Sequence, residues 1–288
     1  MSATRRILAR LTQQPQLNFL LTNRLPRRQL TLLMSRFSRI EQPLVRRLSI
    51  ALWRSFADVD LSDARETTFR SLHDCFIREL RPGARRIDAD HHIAISPCDA
   101  IVGQCGAFRA GTALQAKGRR YELAELLGDA ELAEQFVTGQ YVTLRLTAGM
   151  YHRFHAPHDC TLTHARYIGG DAWNVNPPAL RRVDRLYCRN ERAVLQLRLD
   201  DGQPLLLVPV AAILVAGIRL HCIPRLLNLR HQGVSNFACA ASFHKGDELG
   251  WFEHGSTIIA IGPPGGTMHE AIAPGLPIRM GQALFRLP

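Results

Sequence analysis

The stretch 205-LLLVPVAAILVAGI-218 is the longest uncharged apolar run of the 288-residue chain. Its fourteen residues fall short of the ~18–20 that a membrane-spanning helix needs. Pro209 stands inside it, and a proline removes a backbone donor that a helix interior requires. The run therefore reads as one or two buried strands. Runs of similar texture lie on both sides: 92-HIAIS-96, 141-YVTLRL-146, 193-AVLQLRL-199 and 256-STIIAI-261. Turn signals separate them, namely Pro97, 169-GGD-171, 200-DDGQP-204 and 263-PPGG-266. One helical stretch, 121-YELAELLGDAELAEQF-136, interrupts the series, with a break expected at Gly128-Asp129. The fold class that follows is α+β, a helical N-terminal region followed by a mainly antiparallel β domain.

The N-terminal region differs in texture. Leu33, Phe37, Ile40, Leu44, Leu48 and Leu52 recur at three- and four-residue spacing, with Arg36, Arg39, Arg46, Arg47 and Arg54 off that stripe. Pro26 and Pro43 cut the region into short helices. Residues 1–55 hold eleven arginines, including Arg5, Arg6, Arg10 and Arg24, against the single acid Glu41. A basic leader of this kind favours an anionic surface, either nucleic acid or lipid headgroups. The apolar stripe either packs on the chain's own domain or lies on a membrane with arginines at the headgroups, and the two uses are compatible. We expect a docking region over residues 1–58 and a β-rich domain over 59–288.

Composition narrows the class further. The hydrophobic content of 46% suffices for a substantial core, and the net charge of +11 is carried almost wholly by arginine, since Lys117 and Lys245 are the only lysines. The seven cysteines are odd in number and contain no CxxC pair, so reduced thiols are expected. The opening MSATRRILARLTQQPQ puts arginine and glutamine where a secretory signal has an unbroken apolar core. A cytoplasmic protein held at a membrane face is the expectation.

Three clusters can carry chemistry. In 96-SPCDAIVGQCG-106, Asp99 sits between a proline turn and a glycine-containing strand, where an acid is by default a turn or cap residue. In 151-YHRFHAPHD-159, histidines stand at 152, 155 and 158. Pro157 and the preceding β-rich run argue for strand and loop, which points His152 and His155 to opposite faces. With no acidic third ligand at a recognised offset, no metal is expected, whereas imidazoles on a loop suit general acid–base work. In 245-KGDELGWFEHGSTII-259, two apolar runs meet at Gly255-Ser256-Thr257, the usual mark of a strand turning a corner. The G-x-S-x-G elbow of serine hydrolases is absent.

Taken in order, seven segments resemble the phosphatidylserine decarboxylases, the pyruvoyl-dependent type of bacteria and mitochondria. They are 76-FIRELRPGARRID-88, 96-SPCDAIVGQCG-106, 115-QAKGRRYEL-123, 151-YHRFHAPHD-159, 189-RNERAV-194, 246-GDELGWFEHGST-257 and 278-IRMGQAL-284. The resemblance implies conversion of phosphatidylserine to phosphatidylethanolamine and CO2, with the pyruvoyl cofactor made from Ser256 by self-cleavage at Gly255–Ser256. It implies a β chain of residues 1–255 and an α chain of 256–288. It also implies that His155 is the base, Asp99 the acid that orients it, and His152 the histidine that serves decarboxylation. A homodimer acting on a lipid at an anionic membrane follows from the same resemblance, and no nucleic acid partner is expected, since the arginines show no RNA or DNA motif and no aromatic platform among them. A pyruvoyl carbonyl forms a Schiff base with the substrate amine, the role that pyridoxal phosphate otherwise fills from a lysine. His254 stands where the family usually has an apolar or small residue, and Ala100 where glycine is most common.

Two other readings have sequence features of their own. The turns 246-GDELG-250 and 275-GLPIRMGQAL-284 are similar to those of lipoyl and biotin carriers, for which Lys245 would be the modified residue. A metallohydrolase would use His152, His155 and His158.

Overall fold

The computed structural model describes residues 16, 19, 26–214, 217–228, 233–253 and 256–288. Arg5, Arg6, Arg10, Arg24, His254 and Gly255 lie outside the described residues, and of Ser256 the backbone is described.

The two prolines act as the sequence suggests. Helix α1 (Arg27–Phe37) starts directly after Pro26, and α2 (Pro43–Phe56) has Pro43 in its first turn, where no intrahelical donor is lost. The Gln42 side chain caps α2 by accepting from the Val45 amide at 2.7 Å. A short helix α3 (Leu72–Phe76) follows, capped by Ser71, whose Oγ accepts from the Asp74 amide at 3.1 Å.

The N-terminal helices rest on the rest of the chain by their polar residues. Buried Thr31 accepts from the Leu214 amide at 3.0 Å, and the Ser38 carbonyl accepts from the His73 amide at 2.8 Å. Arg27 pairs with Asp171 and stacks over Trp173, its guanidinium carbon 3.7 Å from the ring centroid. The apolar stripe consequently faces outward, with Leu33, Leu44, Leu48, Leu52 and Phe56 each more than half exposed. Helix α2 buries none of its residues.

The β domain contains β1 (Ile93–Ile95), β2 (Ala100–Ala107), β3 (Thr112–Ala116), β4 (Arg119–Glu122), β5 (Gln140–Arg145), β6 (Arg153–His155), β7 (Cys160–Ile168) and β8 (Arg192–Leu199). It continues with β9 (Pro204–Ala211), β10 (Ile218–Leu220), β11 (Val234–Phe243), β12 (Glu248–Phe252), β13 (Ser256–Ile261), β14 (Thr267–Met268), β15 (Pro277–Ile278) and β16 (Ala283–Arg286). The interposed helices are α4 (Leu123–Leu127), α5 (Ala130–Glu134), α6 (Pro177–Leu180) and α7 (Leu186–Arg189).

Eight strands form the main antiparallel sheet, in the order β11-β7-β8-β9-β13-β5-β2-β15. Smaller sheets, β10-β12-β6 and β1-β16-β14, cover one of its faces, while the β3–β4 hairpin and α4 to α7 cover the other. Alternation along β13 divides its side chains between the two layers: Ile258 and Ala260 join one core, Ile259 and Ile261 the second. Both faces of the central strands are covered, which explains why 205–211 reads as unbroken apolar sequence rather than alternation. Within the small sheet, the Phe154 ring of β6 and the Phe252 ring of β12 lie 5.4 Å apart at 56°, a contact worth roughly 0.5–1.5 kcal/mol beyond its buried area.

The expected helical stretch over 121–136 is divided as its sequence suggests. Gly128 closes α4 with φ of 62°, and Asp129 opens α5 by accepting from the Leu132 amide at 3.0 Å. Its first two residues, Tyr121 and Glu122, belong instead to β4, because Tyr121 faces Ala113 across the hairpin. All seven cysteines are free thiols.

Candidate active site

Strands β12 and β13 follow each other in sequence yet belong to different sheets. The described chain leaves the small sheet at Glu253 and joins the main sheet at Ser256. Ser256 already pairs with Ala211 as β13 begins. Across β2, β5 and β13, Ile101, Arg145 and Thr257 lie level. Asp99, two residues before Ile101, and Ser256, one before Thr257, thus stand at the same end of the sheet.

Strand β6 brings the histidines to this end from the facing layer. Trp251 pairs with Arg153, and the Phe252 amide donates to the His152 carbonyl at 3.0 Å. At the other end of β6, the His155 amide donates to the Pro97 carbonyl at 2.8 Å, two residues from Asp99. The Asp99, His152, His155 and Ser256 segments, spread over more than half the sequence, are thereby joined by backbone pairing.

His155 is buried and its tautomer is set by its surroundings. Nδ1 lies 2.8 Å from the Gly246 carbonyl, which can only accept, so Nδ1 carries the proton. Nε2 is left with its lone pair and receives the Tyr151 hydroxyl at 3.0 Å. Burial holds the His155 pKa below the ordinary imidazole value, so the ring is neutral at neutral pH. Burial also pushes the Tyr151 pKa up, which keeps its hydroxyl a donor.

Asp99 has different partners from those the resemblance implies. Arg85 grips its carboxylate, with Nε 3.0 Å from Oδ1 and Nη2 2.6 Å from Oδ2, and the Met280 amide donates to Oδ1 at 2.9 Å. The ring nitrogens of His155 bond to Tyr151 and Gly246 rather than to Asp99. The Asp99 charge acts on His155 through space, opposing the effect of burial by favouring the protonated ring. An arginine inside the first motif, matched in charge and fork geometry, thus occupies the acid in this structure.

His152 is fully buried and stacks on Phe76, with ring centroids 4.0 Å apart and planes at 28°. Phe76 in turn meets Trp53 of α2 at 5.7 Å. His158 lies apart, its Nε2 2.8 Å from the His91 carbonyl, and among the described residues no three His, Cys, Asp or Glu side chains gather as a metal site. Lys245 folds back, its Nζ donating to the Asp90 carbonyl at 2.7 Å. A cavity of about 220 Å³ opens beside His155, lined among others by Glu79, Arg85, Tyr151, Glu248 and Met280.

Sequence reasoning did not single out Arg85, Tyr151, His73 or Glu253. Arg85, Tyr151 and Glu253 lie inside quoted motifs. The pairing of His73 with Glu253 spans 180 residues and has no local signal.

The sequence profile described as phosphatidylserine decarboxylase matches residues 72–286. The chain belongs to the phosphatidylserine decarboxylase family. The family match begins at Leu72, where α3 starts, and takes in Asp99, His152, His155 and Ser256. The phosphatidylserine decarboxylase proenzyme of Aliivibrio salmonicida is 37% identical over 235 residues, covering 78% of this chain and 82% of its own. That of Anaeromyxobacter is 35% identical over 269 residues, 90% of this chain and 94% of its own. That of Photobacterium profundum is 36% identical over 276 residues, 91% and 94% respectively. At 90% and 91% coverage of the chain, the last two matches reach into the N-terminal helices that the profile leaves out.

Proposed function

We propose that the chain is a phosphatidylserine decarboxylase that makes its own pyruvoyl group from Ser256 by self-cleavage. The observation that carries this reading is the bond from the Phe252 amide to the His152 carbonyl at 3.0 Å, which ties the histidine strand to the strand leading into Gly255–Ser256. The relatives are named proenzymes, which is consistent with a chain that needs processing.

Cleavage needs a base for a weakly acidic hydroxyl. His155 suits the task, since it is neutral and presents the Nε2 lone pair. As Ser256 Oγ attacks the Gly255 carbonyl carbon, Nε2 takes the hydroxyl proton and returns it to the departing Ser256 nitrogen, leaving an ester. The Tyr151 hydroxyl on Nε2 turns away or relays the proton at this step. Removal of the Ser256 α-proton then expels the Gly255 carboxylate and leaves dehydroalanine at 256. Its enamine tautomerises to the imine, and water releases ammonia to give the pyruvoyl carbonyl. Arg85 and Asp99 hold the adjoining turn during these steps.

Once formed, the pyruvoyl group supplies, by Schiff-base chemistry with the substrate amine, the electron sink for loss of CO2. His152, held flat against Phe76, is assigned the proton that replaces the lost carboxylate.

The outward stripe of α1 and α2 supports docking of residues 1–58 on an anionic membrane. Leu44, Leu48, Leu52 and Phe56 would enter the headgroup boundary, with Arg46, Arg47 and Arg54 beside them. A peripheral homodimer at the cytoplasmic face of the cell membrane accords with a substrate that stays in the bilayer.

The test is release of CO2 from carboxyl-labelled phosphatidylserine in vesicles. Wild-type protein should release label and lose that activity after borohydride reduction of its carbonyl, while EDTA leaves it unchanged. Activity that resists borohydride and disappears with EDTA would favour the metal reading instead.

A further inference from the structure

We infer that Glu253 is a positioning residue for self-cleavage, clamped by His73 and Arg39 from the N-terminal helices. The inference rests on the reading of Gly255–Ser256 as the cleavage site.

Glu253 is 3% exposed, and a buried carboxylate persists only where partners offset its lost hydration. Two partners reach the same oxygen. His73 Nε2 lies 2.6 Å from Oε2, and the Arg39 guanidinium bonds to Oε2 as well. The backbone is held too, since the Glu253 amide donates to the Gly217 carbonyl at 3.0 Å. Gly217 leaves room for the acid: a Cβ there would lie 3.0 Å from Glu253 Cγ and 2.9 Å from Leu226 Cδ1, at a φ of +134° that side chains rarely adopt.

The chain is thus fixed through residue 253, and ladder pairing resumes at Ser256 with Ala211. Two residues remain between the fixed points, and at ~3.3–3.6 Å per residue at most, the place of Glu253 bounds where Gly255 can lie. The carbonyl to be attacked belongs to the second of them. A productive attack needs the reacting atoms about 3–3.5 Å apart, so the anchor at Glu253 sets how often Gly255 is presented to Ser256 Oγ.

The clamp is supplied by the helices that carry the outward stripe. Arg39 lies in the α1–α2 connection, and the carbonyl of its neighbour Ser38 accepts from the His73 amide at 2.8 Å. Helix α3, which carries His73, also carries the Phe76 that stacks on His152. One five-residue helix therefore holds both the approach to the cleavage site and the buried histidine.

The test follows the half-time of cleavage of the full chain after cell-free synthesis, by denaturing gel, with near-ultraviolet circular dichroism to establish folding. Glu253→Gln preserves shape and removes charge, and should slow cleavage tenfold or more; Glu253→Asp should recover part of the rate. Arg39→Ala, at a half-exposed position, should slow cleavage at least threefold, and that effect should vanish in the Glu253→Gln background because Arg39 acts through Glu253. Should Glu253→Gln fail to fold, the Arg39→Ala half-time decides alone: slowing supports the clamp. Wild-type cleavage matched within twofold by folded Glu253→Gln, or by Arg39→Ala, would overturn the inference by itself. A wild-type chain that stays uncut would overturn the underlying reading and the inference with it.

Discussion

The imidazole of His155 and the hydroxyl of Tyr151 lie 3.0 Å apart, while the opposite ring nitrogen is fixed on the Gly246 carbonyl at 2.8 Å. One nitrogen is thereby committed as donor and the other as acceptor. The assignment of base depends on this pair, and so does the first prediction. His155→Ala should leave an uncut chain, slowed at least a hundredfold. Tyr151→Phe, which frees the lone pair without disturbing the tautomer, should still cleave. Pulse labelling followed by denaturing electrophoresis reads both.

His152 should behave differently. Its ring stacks on Phe76 rather than on the groups around His155. His152→Ala should therefore cleave with at most a few-fold delay yet lose decarboxylation by two orders of magnitude or more. Comparing the fraction cleaved with label released from phosphatidylserine separates the two. Loss of cleavage in His152→Ala would exchange the roles given to the histidines.

The pH dependence of cleavage follows from the direction of the His155 shift. Its folded pKa lies below the ordinary value of 6.5, so the base stays unprotonated into mildly acidic solution. The cleavage rate should be flat from pH 8 to pH 7 and fall with a midpoint below 6.5. By linkage, the unfolded chain binds the proton first, so the His155 contribution to stability is complete above 6.5 and declines as pH falls toward the folded value. A cleavage midpoint above pH 7 would contradict the assignment.

Glu191 carries the opposite sign. Fully buried next to Tyr167, it has its pKa pushed up by burial from 4.5 to about 8. Its neutral form suits the folded chain, so the Glu191 contribution to stability is complete below 4.5 and declines as pH rises toward 8. Glu191→Gln should remove most of that decline. Thermal midpoints at pH 5 and pH 8.5 should differ less in the variant than in the wild type; equal differences would place the buried charge elsewhere.

Membrane docking can be tested apart from folding, because α2 buries none of its residues. Arg46→Ala with Arg47→Ala should weaken binding to anionic vesicles by about 2 kcal/mol, roughly thirtyfold. The thermal midpoint should not move. Flotation with anionic and neutral vesicles at two salt concentrations measures the effect, and unchanged binding would remove these arginines from the docking face.

Much of the fold is local and could be read as such. Proline positions, the Gly128-Asp129 break and the apolar runs at 141–146, 193–199 and 205–210 correspond to observed element ends and strands. The α1–α2 stripe was legible as a period, but a period does not say which way a face points. Its outward orientation comes from Thr31 and Ser38 being the buried residues, a tertiary fact. The candidate site divides in the same way. Asp99, His152, His155 and Ser256 stand in recognisable motifs, whereas the Arg85 grip on Asp99 and the His73–Glu253 contact depend on which strands become neighbours.

The central claim is that the chain cuts itself at Gly255–Ser256, and intact mass spectrometry of purified wild type beside Ser256→Ala tests it most directly. Wild type should give two polypeptides, residues 1–255 and 256–288, the smaller lacking a free amino terminus and carrying a reducible carbonyl, while Ser256→Ala remains one chain. A single uncut wild-type chain that nevertheless decarboxylates phosphatidylserine would contradict the account.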